Sequence, residues 1–253
     1  MKNQLVIATP TYNEAGSIET LLRRIHALGL PADVWVIDDG SSDGTGEIVA
    51  ELREQMPELQ LVQRGAKLGI GSAHIDALRR AKAEGYAQLV TLDADFSHQP
   101  EDIPRLLAAA SEFDVVLGTR FVDRESLVEW SMARKLITHV GHLLTRVLLG
   151  VPYDASGALR VYNLDAIPTE LIEGIKAANY EFFFESISLL HDGGFRIGEV
   201  PVKLPARAYG HSKMQLSHAI SAVLRLLQLA YKIRVSRGTV RYAPLRGVAI
   251  QHD

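Results

Sequence analysis

The chain has 253 residues, 47% of them hydrophobic and 23% charged, which is the make-up of one sizeable folded α/β unit and excludes a disordered chain. It contains no cysteine, so disulfides, thiolate metal sites and cysteine catalysis are excluded. The net charge of −3 hides an asymmetry. Between Val200 and His252 there is no Asp or Glu, while Lys203, Arg207, Lys213, Arg225, Lys232, Arg234, Arg237, Arg241 and Arg246 all fall there. A one-signed C-terminal block points to an anionic partner such as phosphate, nucleic acid or an acidic lipid surface, or to a solvated tail.

The opening MKNQLVIATP has too short an apolar run for a secretory signal and reads as a first strand, Leu5–Thr9, ending at Pro10. Ser17 is placed to cap a helix to Leu28, with Ile18, Leu21, Leu22, Ile25 and Leu28 on one side. Val34–Asp38 reads as a second strand, and Asp43 introduces a helix to Met56 that Pro57 stops. Leu59–Gln63 is a third strand, Gly71–Ala83 a helix and Gln88–Asp93 a fourth strand. A short helix over Pro104–Ser111 and a fifth strand, Asp114–Gly118, follow. This alternation predicts an α/β fold, a doubly wound, mostly parallel sheet with helices on both faces.

The second half is less regular. Helices are expected over Ser131–Leu149 and Tyr180–Asp192, with a strand-like return over Phe195–Leu204. Leu216, Ile220, Val223, Leu224, Leu227 and Tyr231 then form an apolar stripe at helical spacing, followed by Lys232, Arg234 and Arg237. A helix with a basic end suits the interface of an anionic leaflet, and Ser131–Leu149 offers a second apolar surface; packing on the domain is the competing use of both. No stretch reaches the roughly 18 apolar residues of a spanning helix. The organisation read from this is a domain over 1–213, with a nucleotide-binding half over 1–120 and an acceptor half over 121–213. An amphipathic helix and basic tail over 214–253 complete it.

Ligands of open parallel sheets collect beyond the carboxyl ends of the strands. Three polar clusters fall there: Thr11-Tyr12-Asn13-Glu14, the run from Asp38 to Thr45, and Asp93-Ala94-Asp95. A carboxylate pair two residues apart at a strand end suits a hard cation such as Mg²⁺ or Mn²⁺, completed by diphosphate oxygens. The chain lacks G-x-x-x-x-G-K-[ST], and Gly69-Ile70-Gly71 falls short of the dinucleotide fingerprint, against other nucleotide-binding enzymes such as a nucleotidyltransferase. An acidic rim would repel a nucleic-acid backbone, so nucleic acid is not expected as a partner.

PTYNE at 10–14, DDGSSDGT at 38–45, Lys67-Leu68-Gly69, DAD at 93–95 and GTR at 118–120 stand in an order that resembles the family 2 inverting glycosyltransferases of GT-A fold. RKL at 134–136, DASGALR at 154–160, YEFFFE at 180–185, EVPV at 199–202 and RAYGHSK at 207–213 narrow the resemblance to polyprenol-phosphate sugar synthases of the dolichol-phosphate mannose synthase type. That resemblance implies transfer of a sugar from a GDP- or UDP-sugar, mannose from GDP-mannose in the first place, to a polyprenyl or dolichyl phosphate; the alternative donor is another nucleotide-linked hexose or hexosamine. It implies a cytoplasmic protein, peripheral at the cytoplasmic face of a membrane. A hydroxyl acceptor is the alternative.

The resemblance places Pro10, Tyr12, Glu14, Ile37, Asp39, Asp93, Ala94 and Asp95 at the nucleotide sugar. It places Asp93 and Asp95 on the metal, and Arg120, Arg134, Arg207 and Lys213 on donor and acceptor phosphates. Asp95, Arg120 and Asp154 are the expected catalytic residues. If the acceptor is a hydroxyl, Asp154 is the first candidate base and Glu185 the second. Two departures stand out: Ser97-His98 where such synthases carry Gln at the first position, and DASGALR in place of a D-x-T-x-G-F-R loop, with Ala158 for Gly and Leu159 for an aromatic.

Overall fold

A computed structural model describes residues 3–121, 132–204 and 223–231, with the side chains of residues 133 and 134 left aside. The strands are β1 (Leu5–Thr11), β2 (Ala32–Asp38), β3 (Leu59–Gln63), β4 (Gln88–Thr91), β5 (Val115–Thr119), β6 (Arg160–Asn163) and β7 (Ile197–Pro201). The helices are α1 (Ile18–Ala27), α2 (Thr45–Leu52), α3 (Ile70–Ala83), α4 (Ile103–Ala109), α5 (Met132–Leu149), α6 (Thr169–Gly174) and α7 (Glu181–Asp192), and a 3₁₀ turn at Pro100–Asp102 leads into α4. Residues 223–231 are also helical.

The strands form one sheet in the order β3-β2-β1-β4-β6-β5-β7. All pairings are parallel except those of β6, which runs antiparallel between β4 and β5. The alternating side chains of each strand feed two cores, as the pleat requires. Val6, Ala8, Trp35, Ile37 and Tyr162 face α3, α6 and α7, while Leu5, Ile7, Val34, Val36 and Val161 face α1, α2 and α4. Because β6 and β7 complete the same sheet, the architecture continues across residue 120.

Several sequence expectations are corrected locally. Ser17 holds the N-cap position of α1 but makes no side-chain capping bond; its hydroxyl donates back to the Glu14 carbonyl at 3.2 Å. Asp43 stands before α2, whose N-cap is Gly44 in the left-handed conformation, and that helix ends at Leu52 rather than Met56. β4 stops at Thr91, leaving Asp93 on a loop, and the return strand is shorter, Ile197–Pro201. β6 and α6 have no counterpart in the sequence reading. Each is too short, at four and six residues, to show a period.

Gly69 and Gly71 serve helix packing. A Cβ on Gly71 would lie 2.6 Å from Phe182 Cβ and 2.7 Å from the Ala177 carbonyl oxygen, and Ser72 N–H donates to the Ala178 carbonyl at 2.9 Å. The close approach of α3 to the segment leading into α7 therefore requires glycine. Gly71→Ala should destabilise the protein by about 1–3 kcal/mol through overpacking, measured by urea unfolding.

Candidate active site

The loops after β1 and β2 are sewn together at the carboxyl ends of their strands. Asn13, at φ 55°, donates its backbone N–H to Ser41 Oγ at 2.8 Å and accepts from Ser42 N–H at 2.9 Å on its Oδ1. Glu14 N–H reaches Thr45 Oγ1 at 2.9 Å, and Ala15 N–H reaches Asp43 Oδ2 at 2.9 Å. Asp38 is buried and accepts from Thr11 Oγ1 and the Ser41 amide, each at 2.9 Å. Much of the DDGSSDGT run thus ties the β1 and β2 loops to each other, helped by local bonds of the turn-forming kind from the Ser41 amide to Asp38 and from Thr45 Oγ1 to Asp43.

Asp39 reaches further. Its Oδ1 pairs with Arg64 Nη1 at 2.7 Å, and its Oδ2 accepts from the Leu68 and Gly69 amides at 3.0 and 2.9 Å. Burial raises its carboxyl above the ordinary range, although the Gly69 amide, Arg64 and the Leu68 amide act the other way. These bonds fix the 64–69 loop, which presents the Lys67 ammonium 4.0 Å above the Tyr12 ring. Pro10 lies on β1 in register with Ile37 of β2, and the Ile37 side chain belongs to the core.

Beyond β4, Asp93 and Asp95 are half-buried and flank buried Ala94. Asp95 Oδ1 accepts from the Ser97 amide at 2.9 Å, across Phe96 in the left-handed region at φ 58°. An aromatic residue rarely adopts that conformation, and here it turns the DAD loop sharply. Arg24 of α1 pins the segment, lying 5.0 Å from the Phe96 ring centroid and donating to Gln99 Oε1 at 2.6 Å and to Glu101 Oε1 at 2.9 Å. Among the described residues no group of three or more His, Cys, Asp or Glu side chains gathers around a metal position. Two carboxylates at a strand end nevertheless fit a hard cation that takes its remaining oxygens from a diphosphate and water.

On the far side of β6 the rim becomes basic. Arg120 follows β5 and donates from Nε to Asp154 Oδ2 at 2.8 Å. Asp154 is 1% exposed, accepts on Oδ1 from the Ser156 amide at 3.2 Å and donates its own amide to Glu199 Oε1 at 2.7 Å. Burial alone would raise its carboxyl, but the Arg120 charge, the Arg120 hydrogen bonds and the Ser156 amide outweigh it, so it sits below the ordinary value. A carboxylate so held is a poor proton acceptor and a good anchor for a guanidinium.

Arg160 opens β6 in register with Thr91 of β4 and Leu117 of β5. It is fully buried, and its guanidinium donates to the carbonyls of Gly157, Ala155 and Phe183, to Ser186 Oγ and to Tyr162 Oη. It therefore fastens the 154–160 loop to α7. Glu185 accepts from the Ala177 amide at 2.8 Å and pairs with Arg225 Nη2 at 2.7 Å, which ties the 223–231 helix to the domain. Arg134 lies in the first turn of α5, with its side chain outside the description, and Arg207 and Lys213 lie outside the described residues.

The model of the glycosyl transferase family 2 domain matches residues 6–168, which span the loops after β1, β2, β4 and β5 and the 154–160 loop, while α7, Glu199 and the Arg225 helix lie beyond it. The chain belongs to glycosyl transferase family 2. It is 37% identical over 206 residues to the undecaprenyl-phosphate mannosyltransferase of Micrococcus luteus, covering 81% of this chain and 85% of that one. It is 30% identical over 241 residues to the polyprenol monophosphomannose synthase of Mycolicibacterium smegmatis, covering 93% and 91%. Among solved structures, glucosyl-3-phosphoglycerate synthase from Mycobacterium tuberculosis, in complex with Mn²⁺, UDP and glucosyl-3-phosphoglycerate, superimposes with a TM-score of 0.56 at 20% identity, covering 97% of this chain and 82% of that one. The mannosyltransferase PcManGT from Pyrobaculum calidifontis, with GDP-Man and Mn²⁺, gives 0.51 at 17% identity, covering 94% and 76%. The fold of this family 2 glycosyltransferase is GT-A.

The structure also brings residues to the glycosyltransferase rim that were given no role in the sequence: Lys67, His98, Arg160 and Glu199. Glu199 left the clearest signal, an acid interrupting the apolar run of FRIGEVPVKL. Arg160 left only its place at the end of the DASGALR motif, because nothing in a sequence distinguishes a buried arginine from a surface one. Asp154→Asn should cost about 3 kcal/mol at neutral pH, since it leaves the Arg120 charge buried without its counterion. The stability that Asp154 contributes is full above the ordinary value of 3.8 and lost as pH falls through its lowered pKa, so the gap between variant and wild type should close in acid. Urea titrations at pH 7 and pH 3 measure both.

Proposed function

We propose that the protein transfers mannose from GDP-mannose to a polyprenyl phosphate at the cytoplasmic face of a membrane, on which it rests as a peripheral protein. The observation that carries this reading is the outer face of α5. Met132, Leu136, Ile137, Val140, Leu143 and Val147 line one side of the helix, and Leu136 and Ile137 are 65% and 68% exposed. The helix is held to the basic side of the rim by His142, whose ring stacks on Phe121 at 4.0 Å, next to Arg120. The 223–231 helix adds a second such face: Leu226, Leu229 and Ala230 pack on the core, while Val223, Leu224, Leu227 and Tyr231 stay exposed. No helix among the described residues is long and apolar enough to cross a membrane, so these faces suit lying in the interface beside a lipid-borne acceptor. The names of the relatives from Micrococcus and Mycolicibacterium carry the same acceptor class.

Tyr12, Glu14 and Asp39 border the space for the nucleoside, and Arg120 lies across β6 for the phosphates. Arg134, Arg207 and Lys213 are proposed to meet the acceptor phosphate. Asp93 and Asp95 would hold the divalent cation, Mg²⁺ or Mn²⁺, which supplies charge neutralisation for the departing diphosphate. A lipid phosphate is already an oxyanion at neutral pH, so it needs no strong base. That agrees with Asp154, whose depressed pKa and pairing with Arg120 suit orientation rather than proton abstraction. Glu185, paired with Arg225, serves the fold in the same way. Transfer is a single in-line displacement in which alignment of the phosphate oxygen with the anomeric carbon carries much of the rate.

A matrix of GDP- and UDP-sugars against polyprenyl phosphate and hydroxyl acceptors tests the reaction. GDP-mannose with the lipid phosphate should give the largest release of nucleoside diphosphate, and a hydroxyl acceptor matching it would overturn the assignment. Asp95→Ala should abolish turnover while leaving the melting temperature within a few degrees of wild type; full turnover insensitive to EDTA would exclude the metal role. Replacing Leu136, Ile137, Val140 and Leu143 together by glutamine should release the protein from liposomes in flotation. Each such side chain contributes about 1.5–3 kcal/mol on burial in an apolar phase. A variant that still floats but melts lower would show that α5 packs on protein instead.

A further inference from the structure

His98 is 3% exposed and lies between the acidic and basic sides of the rim. Burial and then the nearby Arg120 charge bring its pKa down to about 4, so at neutral pH it is an uncharged ring with one N–H and one lone pair. Nδ1 lies 3.3 Å from Ser97 Oγ, whereas no described protein group hydrogen-bonds Nε2. An unsatisfied buried nitrogen costs about 1–3 kcal/mol.

The surroundings of Gly157 give that nitrogen a use. A Cβ built on Gly157 would stand 3.2 Å from the Gly118 carbonyl oxygen, 3.5 Å from Arg120 Nη2 and 3.8 Å from His98 Nε2. Glycine thus leaves a notch for one small atom, bounded by an acceptor, a donor and the imidazole. With Nδ1–H donating to Ser97 Oγ, Nε2 offers a lone pair. A water in the notch then donates to the Gly118 carbonyl and to Nε2 and accepts from Arg120 Nη2. A sugar hydroxyl, with one hydrogen, cannot donate twice.

We propose that His98 is a positioning residue, holding the Nη2 arm of Arg120 through a water in the notch at Gly157 while Asp154 holds Nε. The guanidinium plane is then fixed at two points before the phosphates arrive. The inference rests on the mannosyl transfer proposed above for its consequence in turnover, but not for the Arg120 geometry itself.

Three variants test it: His98→Leu, which removes the lone pair; His98→Gln, which restores a polar group near the Nε2 position; and Gly157→Ala, which fills the notch. His98→Leu and Gly157→Ala should each lower kcat by about ten- to a hundredfold, the loss that misplacing a charged group brings. The Kd for nucleoside diphosphate should rise by much less than kcat falls, the melting temperature should stay close to wild type, and His98→Gln should recover most of kcat. Independently of any acceptor, exchange of the Arg120 Nε–H measured by NMR should be about tenfold faster in His98→Leu. Wild-type kcat in His98→Leu or Gly157→Ala would overturn the proposal, as would a loss of donor binding equal to the loss of kcat or an unchanged Arg120 exchange rate. Absence of turnover in the wild type would defeat the functional reading alone, and the exchange measurement would still decide this one.

Discussion

One reversed strand sets the geometry of this protein. β6 runs antiparallel between β4 and β5, so its first residue lies where the other two end. Neighbouring strands are about 4.8 Å apart, which separates the ends of β4 and β5 by roughly 10 Å. The acidic DAD loop and Arg120 therefore stand on either side of β6, and the 154–160 loop enters β6 from the same rim. Thr91 Oγ1 donates to the Ala158 carbonyl at 2.8 Å, and the Gly118 amide to the Leu159 carbonyl at 2.9 Å, so that loop is held by both neighbours.

Buried charge on this rim is organised in pairs and fans. Asp154 pairs with Arg120, Asp39 with Arg64 and Glu185 with Arg225. Arg160 instead spreads its guanidinium over carbonyl, hydroxyl and phenol oxygens. Such arrangements do not add much net stability, because desolvation consumes most of the Coulombic gain. They give position. A guanidinium held at Nε by a buried carboxylate keeps its orientation without reorganising when an anion arrives, which is the property that charge stabilisation in a transition state requires.

The exposed apolar faces of α5 and the 223–231 helix are mechanically joined to the rim. α5 carries its apolar residues outward and sets His142 against Phe121, beside Arg120. The 223–231 helix is locked to the domain by Arg225 and Glu185 while its second apolar face remains exposed. Both helices thus have one side committed to the fold and one apolar side exposed, at a fixed position relative to the rim.

The sequence by itself determined the early strands, the helices with a clear apolar stripe, and the order of the polar clusters at the strand ends. Those features are local: a buried strand shows as a short β-branched run, an amphipathic helix as a 3.6-residue period, and a strand-end loop as the polar residues that follow. Only the tertiary structure decided that four residues at 160–163 form the reversed strand, since so short a segment has no period of its own and is selected by pairing with β4 and β5. It alone decided how the motif carboxylates divide their work. Asp38 and Asp43 brace their own loop and tie it to the one after β1, Asp154 anchors Arg120 and Glu185 anchors Arg225, because a carboxylate's role depends on which cation, hydroxyl or amide lies within about 3 Å of it, and those partners stand 34 and 40 residues away for the last two.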